Sequence, residues 1–198
     1  MENSEKALTE QESLLLIGQM IRNAKKAVRD NGFLFLLWGW LVFAASLSNY
    51  IMAFVLDMGE IAYLPWPVLM ISGGIISAIY GSRQKKNERV KTYVDDAMKF
   101  LWIAFVVALL LTLVFMSKIG PEVAYPFIMV LYGVGTFVSG GILKFKPLIY
   151  GGIACWLIAI AATFFDFQFQ LLLLSLSILV SYIIPGHILK HRYDNEKV

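Results

Sequence analysis

Few residues in this sequence could do chemistry, and the most suggestive are two histidines. His187 and His191 stand four positions apart, a spacing that places two imidazoles on one face of a helix, as two ligands of one metal ion require. Two imidazoles alone fill half of a tetrahedral site, and only Asp194 and Glu196 lie nearby in the sequence. We therefore predict no metal and no cofactor, expect both histidines at a helix end, and keep a transition-metal site as the alternative.

The remaining candidates are four acidic residues and one thiol. The acids could form an acidic mouth for a cation, made by Asp57, Glu60, Glu122 and Asp166. Ordinary solvated loop ends explain them equally well. The single cysteine, Cys155, lies inside an apolar run, where a thiol is usually a small packing residue. Metalloprotease, serine-hydrolase, C-x-x-C and P-loop motifs are absent from the sequence, so we predict that the protein is not an enzyme.

The chain that must position these residues has the composition of an integral membrane protein. Of its 198 residues, 59% are hydrophobic and 16% are charged, against roughly 25% charged in ordinary soluble domains. A soluble fold of this size has too little interior for that much apolar surface. The net charge is +3 and no basic soluble module is present, which excludes direct binding of nucleic acid.

Uncharged apolar runs long enough to cross a bilayer, which takes about 20 residues, predict six transmembrane helices. The predicted spans are 33–56, 61–81, 100–117, 123–143, 147–165 and 167–186, with a cytosolic arm at 1–32 and a cytosolic tail at 187–198. The last two spans share a run interrupted by Asp166 that is too long for one helix. The predicted fold class is an all-α integral membrane protein, a six-helix bundle of three hairpins with an N-terminal amphipathic helix.

The Lys and Arg residues, 17 in number, predict the orientation. In the six-span arrangement all of them except Lys118 lie on one side, together with both termini. Basic residues accumulate in cytoplasmic loops. We therefore predict a multi-pass protein of a bacterial inner membrane whose two termini are both cytoplasmic.

Two amphipathic segments border the spans. In residues 10–30 apolar side chains repeat at helical spacing. The opposite face carries Arg22, Lys25, Lys26 and Arg29. A shorter amphipathic segment directly precedes residue 100. We interpret both segments as connectors or as contacts with anionic lipid headgroups, with a protein partner as the alternative.

Small residues recur in patterns within the spans. The motif at residues 72–75, Ser-Gly-Gly-Ile, returns at residues 139–142, which indicates either a hairpin repeat or chance recurrence in apolar helices. Small residues four apart predict close helix packing, within one chain or between copies in a homo-oligomer. These stripes are Gly73/Ser77/Gly81, Gly135/Ser139, Cys155/Ala159/Thr163 and Ser177/Ser181.

Polar side chains are sparse inside the spans, and none well inside them is charged. The most polar cluster of the first span is Asn49 with Ser46 and Ser48, and the sixth span begins with Gln168 and Gln170. We expect these side chains to form hydrogen bonds with neighbouring helices. A substrate cavity is the less favoured interpretation.

Several motifs spread over nearly the whole chain occur in a distinctive order. They are Glu12-Ser13-Leu14, Gln19-Met20-Ile21, Trp38-Gly39-Trp40, Val90-Lys91-Thr92-Tyr93-Val94-Asp95 and Ile183-Ile184-Pro185-Gly186-His187-Ile188-Leu189-Lys190-His191. In this order they resemble an uncharacterised family of small six-span bacterial inner-membrane proteins from anaerobic gut-type bacteria. The resemblance implies no activity, ligand or catalytic residue. A small winged-helix regulator is often encoded near members of that family, which implies a cytosolic regulatory partner. The Gly-rich helix ends are loosely similar to those of six-span acid-resistance membrane proteins.

We therefore expect a non-enzymatic inner-membrane protein with a sensing, scaffolding or envelope-stress role carried by its cytosolic basic segments. The expected partners are the anionic headgroups of the lipid bilayer, a cytosolic regulatory protein and further copies of the chain. The alternative is a small oligomeric transporter or channel for an ion or small solute. A polar cavity reaching the middle of the membrane would favour transport, whereas a tightly packed core would favour the first function.

Overall fold

A computed structural model describes residues 32–87 and 93–195 of the chain. Every regular element within those residues is a helix, so the predicted all-α class is confirmed. In this part of the chain five helices are long and apolar enough to cross a membrane, and a sixth apolar helix, Lys146–Ala162, has 17 residues. At 1.5 Å per residue this shorter helix rises about 26 Å, near the lower limit for crossing the hydrocarbon core.

The described residues form seven α-helices. They are α1 (Phe33–Tyr50), α2 (Pro65–Asn87), α3 (Tyr93–Ile119), α4 (Pro121–Ile142), α5 (Lys146–Ala162), α6 (Phe167–Ile178) and α7 (Ile184–Asn195). A π-turn, Ile51–Val55, extends α1, and a 3-10 turn, Gly59–Tyr63, precedes α2. A second π-turn, Leu179–Ile183, joins α6 and α7 into one continuous apolar segment.

Residue type accounts for the connection between α3 and α4. Gly120 separates α3 from α4 with φ +80°, a conformation that glycine adopts without steric penalty. Pro121 then begins α4, where its missing N–H removes no helical hydrogen bond. Residues 163–166 form the turn between α5 and α6 without a glycine or a proline.

Three helices extend beyond the spans expected from the sequence, the first being α2, which continues to Asn87 rather than ending at residue 81. Helix α3 begins at Tyr93, so the described part of the short amphipathic segment before residue 100 belongs to the same helix. The helix does not end at Pro185: a π-turn, Leu179–Ile183, precedes it, and α7 continues through Pro185 to Asn195. Because a proline lacks an N–H, the wider π-turn accommodates the lost hydrogen bond without ending the helix.

The bundle has an inner group and an outer pair of helices. Helix α4 packs against α3, α5 and α6, while α1 packs against α2 and against the α6–α7 segment. More than half of the most apolar stretch of α4 and of the α6–α7 segment is buried, compared with 11% for α2 and none for α3. Helices α1, α4, α5 and α6 therefore form the core, and α2 and α3 lie outside it.

The sequential pairs α1–α2, α3–α4 and α5–α6 are each in contact, but equivalent helices of the first two pairs differ in surroundings. The sequence repeat aligns α1 with α3 and α2 with α4. Helix α1 is an inner helix and α3 an outer one, whereas α2 is outer and α4 inner. The hairpins are therefore not interchangeable units of packing.

The charged side chains lie at the two ends of this bundle. The basic end carries Arg83, Lys99, Lys144, Lys146, Lys190 and Arg192. The acidic end carries Asp57, Glu60, Glu122 and Asp166, together with Lys118. The arm with Arg22, Lys25, Lys26 and Arg29 lies outside the described residues, as do residues 88–92 and 196–198.

Candidate functional site

The two histidines lie on the surface of α7. His187 and His191 are both exposed, and the Nε2 atom of His191 lies 3.1 Å from the Nδ2 atom of Asn195. Among the described residues no group of three or more His, Cys, Asp or Glu side chains could hold a metal ion. The structure therefore adds no third ligand to the pair within residues 32–87 and 93–195.

The four acidic residues are exposed on separate connections at the acidic end. Asp57 follows the first π-turn with φ +49°, and Glu60 lies in the 3-10 turn. Glu122 is in the first turn of α4, and Asp166 immediately precedes α6. All four carboxylates are thus available to solvent or headgroups, and they do not converge on a metal cluster in the described part of the chain.

Beneath these acids, Asn49 ties α1 to the start of α2. Its Nδ2 atom donates to the carbonyl oxygen of Ala62 at 2.8 Å, and its Oδ1 atom accepts from Trp66 Nε1 at 3.3 Å. The Trp66 ring in turn meets the Tyr125 ring of α4 edge to face. The amide is fully buried, so these bonds satisfy polar atoms that have no access to water.

Gln170 also links separate segments through hydrogen bonds, on the other side of the acidic end. Its Nε2 atom lies 2.9 Å from the carbonyl oxygen of Glu122, 3.1 Å from that of Ala162 and 3.2 Å from that of Phe165. One amide therefore connects the start of α4, the end of α5 and the start of α6. Its Oε1 atom is buried and has no hydrogen-bond partner in the described structure.

The middle of the bundle is a close seam between α4, α5 and α6. A Cβ atom on Gly152 would lie 2.8 Å from the carbonyl oxygen of Gly133 and from the backbone nitrogen of Phe137. A Cβ atom on Gly151 would lie 2.9 Å from the Cα atom of Ser181. Glycine at these positions lets the helix backbones touch, as small residues do in membrane bundles.

Hydroxyl and thiol groups line this seam, and most of them bond to backbone carbonyls. Ser46 donates across helices to Leu171 at 2.7 Å, whereas Ser181 donates within its own helix to Ser177 at 2.6 Å. The Sγ atom of Cys155 lies 3.2 Å from the carbonyl oxygen of Met129. These hydroxyl and thiol groups are thus directed at helix backbone, whereas Ser139 Oγ, Gln170 Oε1 and Tyr182 OH are buried without a partner in the described structure.

Tyr182, on the second π-turn, is the largest fully buried side chain. Its ring packs against those of Phe35, Trp102 and Tyr132 at centroid distances of 5.9, 6.3 and 5.5 Å. Its hydroxyl lies 3.5 Å from the point where a Cβ atom of Gly135 would be, and it has no partner in the described structure. The Ser139 hydroxyl, one turn further along α4, is also buried and unpartnered.

The arrangement as a whole serves packing and hydrogen bonding. Within the described residues, the buried thiol of Cys155 bonds to a carbonyl of α4, and both histidines lie on the exposed surface of α7. The described residues therefore do not bring this nucleophile and a base together in the way that covalent catalysis requires.

The polar residues singled out in the sequence behave in two ways. Ser46, Asn49 and Gln170 form the expected bonds to other segments. Ser177, named above in a small-residue stripe, instead donates to the carbonyl of Leu174 in its own helix. Sequence reasoning missed Tyr182, because a tyrosine in an apolar run carries no sign of burial; the nearby Pro185 was the available signal of irregular backbone.

Neither protein-family models, nor curated proteins, nor solved structures gave a significant match to this chain.

Proposed function

We propose that this chain is a non-enzymatic protein of a bacterial inner membrane, with a sensing, scaffolding or envelope-stress role. In this proposal the membrane bundle is a rigid platform, and the basic segments at one end meet anionic headgroups and a cytosolic regulatory protein. The observation that carries the proposal is the close seam between α4, α5 and α6, where glycines bring backbones into contact.

The seam supports a platform because a transport path needs polar groups that face a cavity. The hydroxyls of Thr136, Ser177 and Ser181 instead donate to carbonyls of their own helices. Such bonds satisfy each polar atom locally and leave it unavailable to a passing solute. The distribution of charge agrees with this interpretation, since the charged side chains of the described residues lie toward the two ends of the bundle.

A small transporter or channel remains the second candidate, and a specific observation favours it. Three buried polar atoms have no partner in the described structure: Ser139 Oγ, Gln170 Oε1 and Tyr182 OH. Unpaired buried polar atoms call for an explanation such as a water or a solute. Two of them, on Ser139 and Tyr182, lie around the same part of α4.

The single cysteine of the protein provides the decisive test, because Cys155 is fully buried in the seam. Membranes containing the full chain are treated with a membrane-impermeant methanethiosulfonate, and modification is read by mass spectrometry. We expect no modification of Cys155, whereas a Glu122→Cys variant carrying Cys155→Ala should react at its exposed position. Rapid modification of Cys155 would reveal a water path to the middle of the bundle. That result would contradict the proposed platform and favour the transporter.

The orientation is tested separately. A reporter that is active only in the cytoplasm, fused after Val198, should be active, because the basic end is proposed to face the cytoplasm. Activity of a periplasm-specific reporter at the same position would reverse the orientation and remove the cytosolic partner from the proposal.

A further inference from the structure

An open groove lies between α3 and α4 near the acidic end. Its volume is about 350 Å³. It is lined by Thr112, Phe115, Ile119, Val123 and Phe127. The hydroxyl of Thr112 donates to the carbonyl oxygen of Ala108 at 2.8 Å, so the groove offers no free polar atom of its own side chains. Its chemistry therefore matches a hydrocarbon chain.

The groove belongs to the outer surface of the bundle. Phe115 and Phe127 are 58% and 57% exposed and stand on opposite helices, so their rings form two walls. Val123 and Ile119 are also exposed along it. In a membrane this surface faces lipid, and the acyl chains of the bilayer are the apolar molecules present at high concentration.

Two exposed residues of opposite charge are the sequence neighbours of lining residues at the end of α3 and the start of α4. Lys118 directly precedes Ile119 of the lining, and Glu122 directly precedes Val123. Both side chains are exposed, and neither forms an ion pair with another described residue. Lys118 is also the single basic residue at the acidic end, the exception to the charge distribution of the whole sequence.

We propose that the groove binds one acyl chain of an aminophospholipid, whose phosphate contacts Lys118 and whose primary ammonium contacts Glu122. The lysine ammonium and the phosphate are complementary, and the long lysine stem reaches headgroup depth while its methylenes cover apolar surface. The carboxylate of Glu122 complements an ammonium and disfavours a purely anionic headgroup. An alternative reason for a lysine at position 118 is its favourable interaction with the dipole at the carboxyl-terminal end of α3. That interaction does not account for the groove.

The test is native mass spectrometry of the full chain in detergent, titrated with lipids of identical acyl chains. The probes are phosphatidylethanolamine, phosphatidylcholine, phosphatidylglycerol and diacylglycerol, the last of which lacks the phosphate. We expect the highest occupancy with phosphatidylethanolamine. Lys118→Gln should weaken phospholipid binding about fivefold, the effect of one basic residue near a phosphate, and should leave diacylglycerol unchanged. Glu122→Gln should remove the preference for phosphatidylethanolamine over phosphatidylglycerol.

Controls separate the groove from the rest of the surface. Lys144→Gln, at the basic end, should leave the lipid preference unchanged, and Thr112→Val should do the same because the hydroxyl bonds to its own helix. Val123→Phe should fill the groove and lower the binding of every lipid. Equal retention of all four lipids by the wild-type protein and by Lys118→Gln would overturn the proposal. A dimer that Val123→Phe dissociates, with no change in lipid, would assign the groove to a second copy and overturn it as well.

Discussion

Helices α3 and α4 are neighbours of similar length, yet they differ completely in burial. None of the most apolar stretch of α3 is buried, whereas 61% of that of α4 is. Helix α3 is nevertheless the most apolar of the five long helices. In a water-soluble protein the more apolar of the two helices would be the more buried one. In a bilayer, acyl chains surround Leu, Val and Phe as well as another helix does, so apolar character alone does not bring a helix inside.

Helix α4 differs from α3 in its small residues. Gly133, Gly140 and Ser139 are buried, and a Cβ atom on Gly140 would lie 2.7 Å from the backbone nitrogen of Ile149. Helix α3 contains no glycine between Tyr93 and Ile119. Close backbone approach, which strengthens dispersion contacts, therefore distinguishes α4 from α3.

The largest effect should come from adding one methyl group to the seam. Gly152→Ala would place a carbon 2.8 Å from backbone atoms of α4, which cannot move aside as a flexible side chain can. We expect a loss of about 2–3 kcal/mol in the free energy of unfolding. The matched control is Gly74→Ala on α2, where no atom lies within 4 Å, so that the variant gains up to about 1 kcal/mol from helix propensity.

Unfolding of both glycine variants can be followed by circular dichroism during a detergent titration. Equal stability of Gly152→Ala and Gly74→Ala would show that the seam is looser than described and would remove the contrast between inner and outer helices.

Truncation of a leucine should depend on the same contrast. Leu171 is fully buried on α6, whereas Leu110 on α3 is 56% exposed. We expect Leu171→Ala to lower the unfolding free energy by about 2 kcal/mol, because it leaves a cavity among fixed neighbours. Leu110→Ala should change it by less than about 0.5 kcal/mol. Similar losses in the two variants would mean that α3 has a protein neighbour in the membrane.

A smaller effect is expected where polar atoms hold the acidic end together. Gln170→Leu removes the donor to three backbone carbonyls. Interhelical hydrogen bonds in membranes contribute about 1 kcal/mol, and we expect a loss of that size in the unfolding free energy. Gln168→Leu is the control, because Gln168 is half-buried rather than enclosed. A neutral Gln170→Leu would indicate that water substitutes for the amide.

The smallest effect should appear between α1 and the outer helix α2. The Nε1 atom of Trp38 donates to the Ser77 hydroxyl at 3.1 Å, and Ser77→Ala removes that acceptor. We expect Ser77→Ala to lower the free energy of unfolding by about 0.6 kcal/mol, the average for hydrogen bonds between helices in membranes. Ser72→Ala is the matched control, since Ser72 bonds to Leu69 in its own helix. Quenching of tryptophan fluorescence by dissolved oxygen would report any loosening around Trp38. A larger loss of unfolding free energy in Ser72→Ala than in Ser77→Ala would contradict the hydrogen bond between Trp38 and Ser77.

The fold class could be predicted because the length of apolar runs is a direct physical requirement of the bilayer. Which helices lie inside could be predicted only in part. Small-residue stripes marked α4, α5 and α6, and there Gly135, Cys155 and Ser177 are buried within one chain. A similar stripe marked α2, where Gly73 is buried and faces Leu41 of α1, but a Cβ atom on Gly81 would meet no described atom of another segment within 4 Å. A stripe of small residues allows a second helix to approach closely. Which helix packs there depends on residues elsewhere in the chain.

The candidate site was less predictable for a related reason. The histidines and acids were found by residue type, and the structure places them apart on exposed ends. The groove between α3 and α4 is formed by ordinary apolar residues whose types carry no chemical signal. Lys118 was visible as an exception to the charge pattern, but its place beside a groove depends on how α3 and α4 meet at the Gly120 turn.

The π-turn at Leu179–Ile183 also sets the angular phase of everything that follows it. One residue more or less rotates the rest of a helix by about 100°. In the observed phase Gly186 turns toward α1, where a Cβ atom would lie 3.0 Å from the Leu36 side chain. His187 faces outward in the same phase. Deletion of a single residue within the π-turn would therefore rotate the segment that follows, with its histidines and basic residues, to a new direction. The residues of that segment would themselves be unchanged.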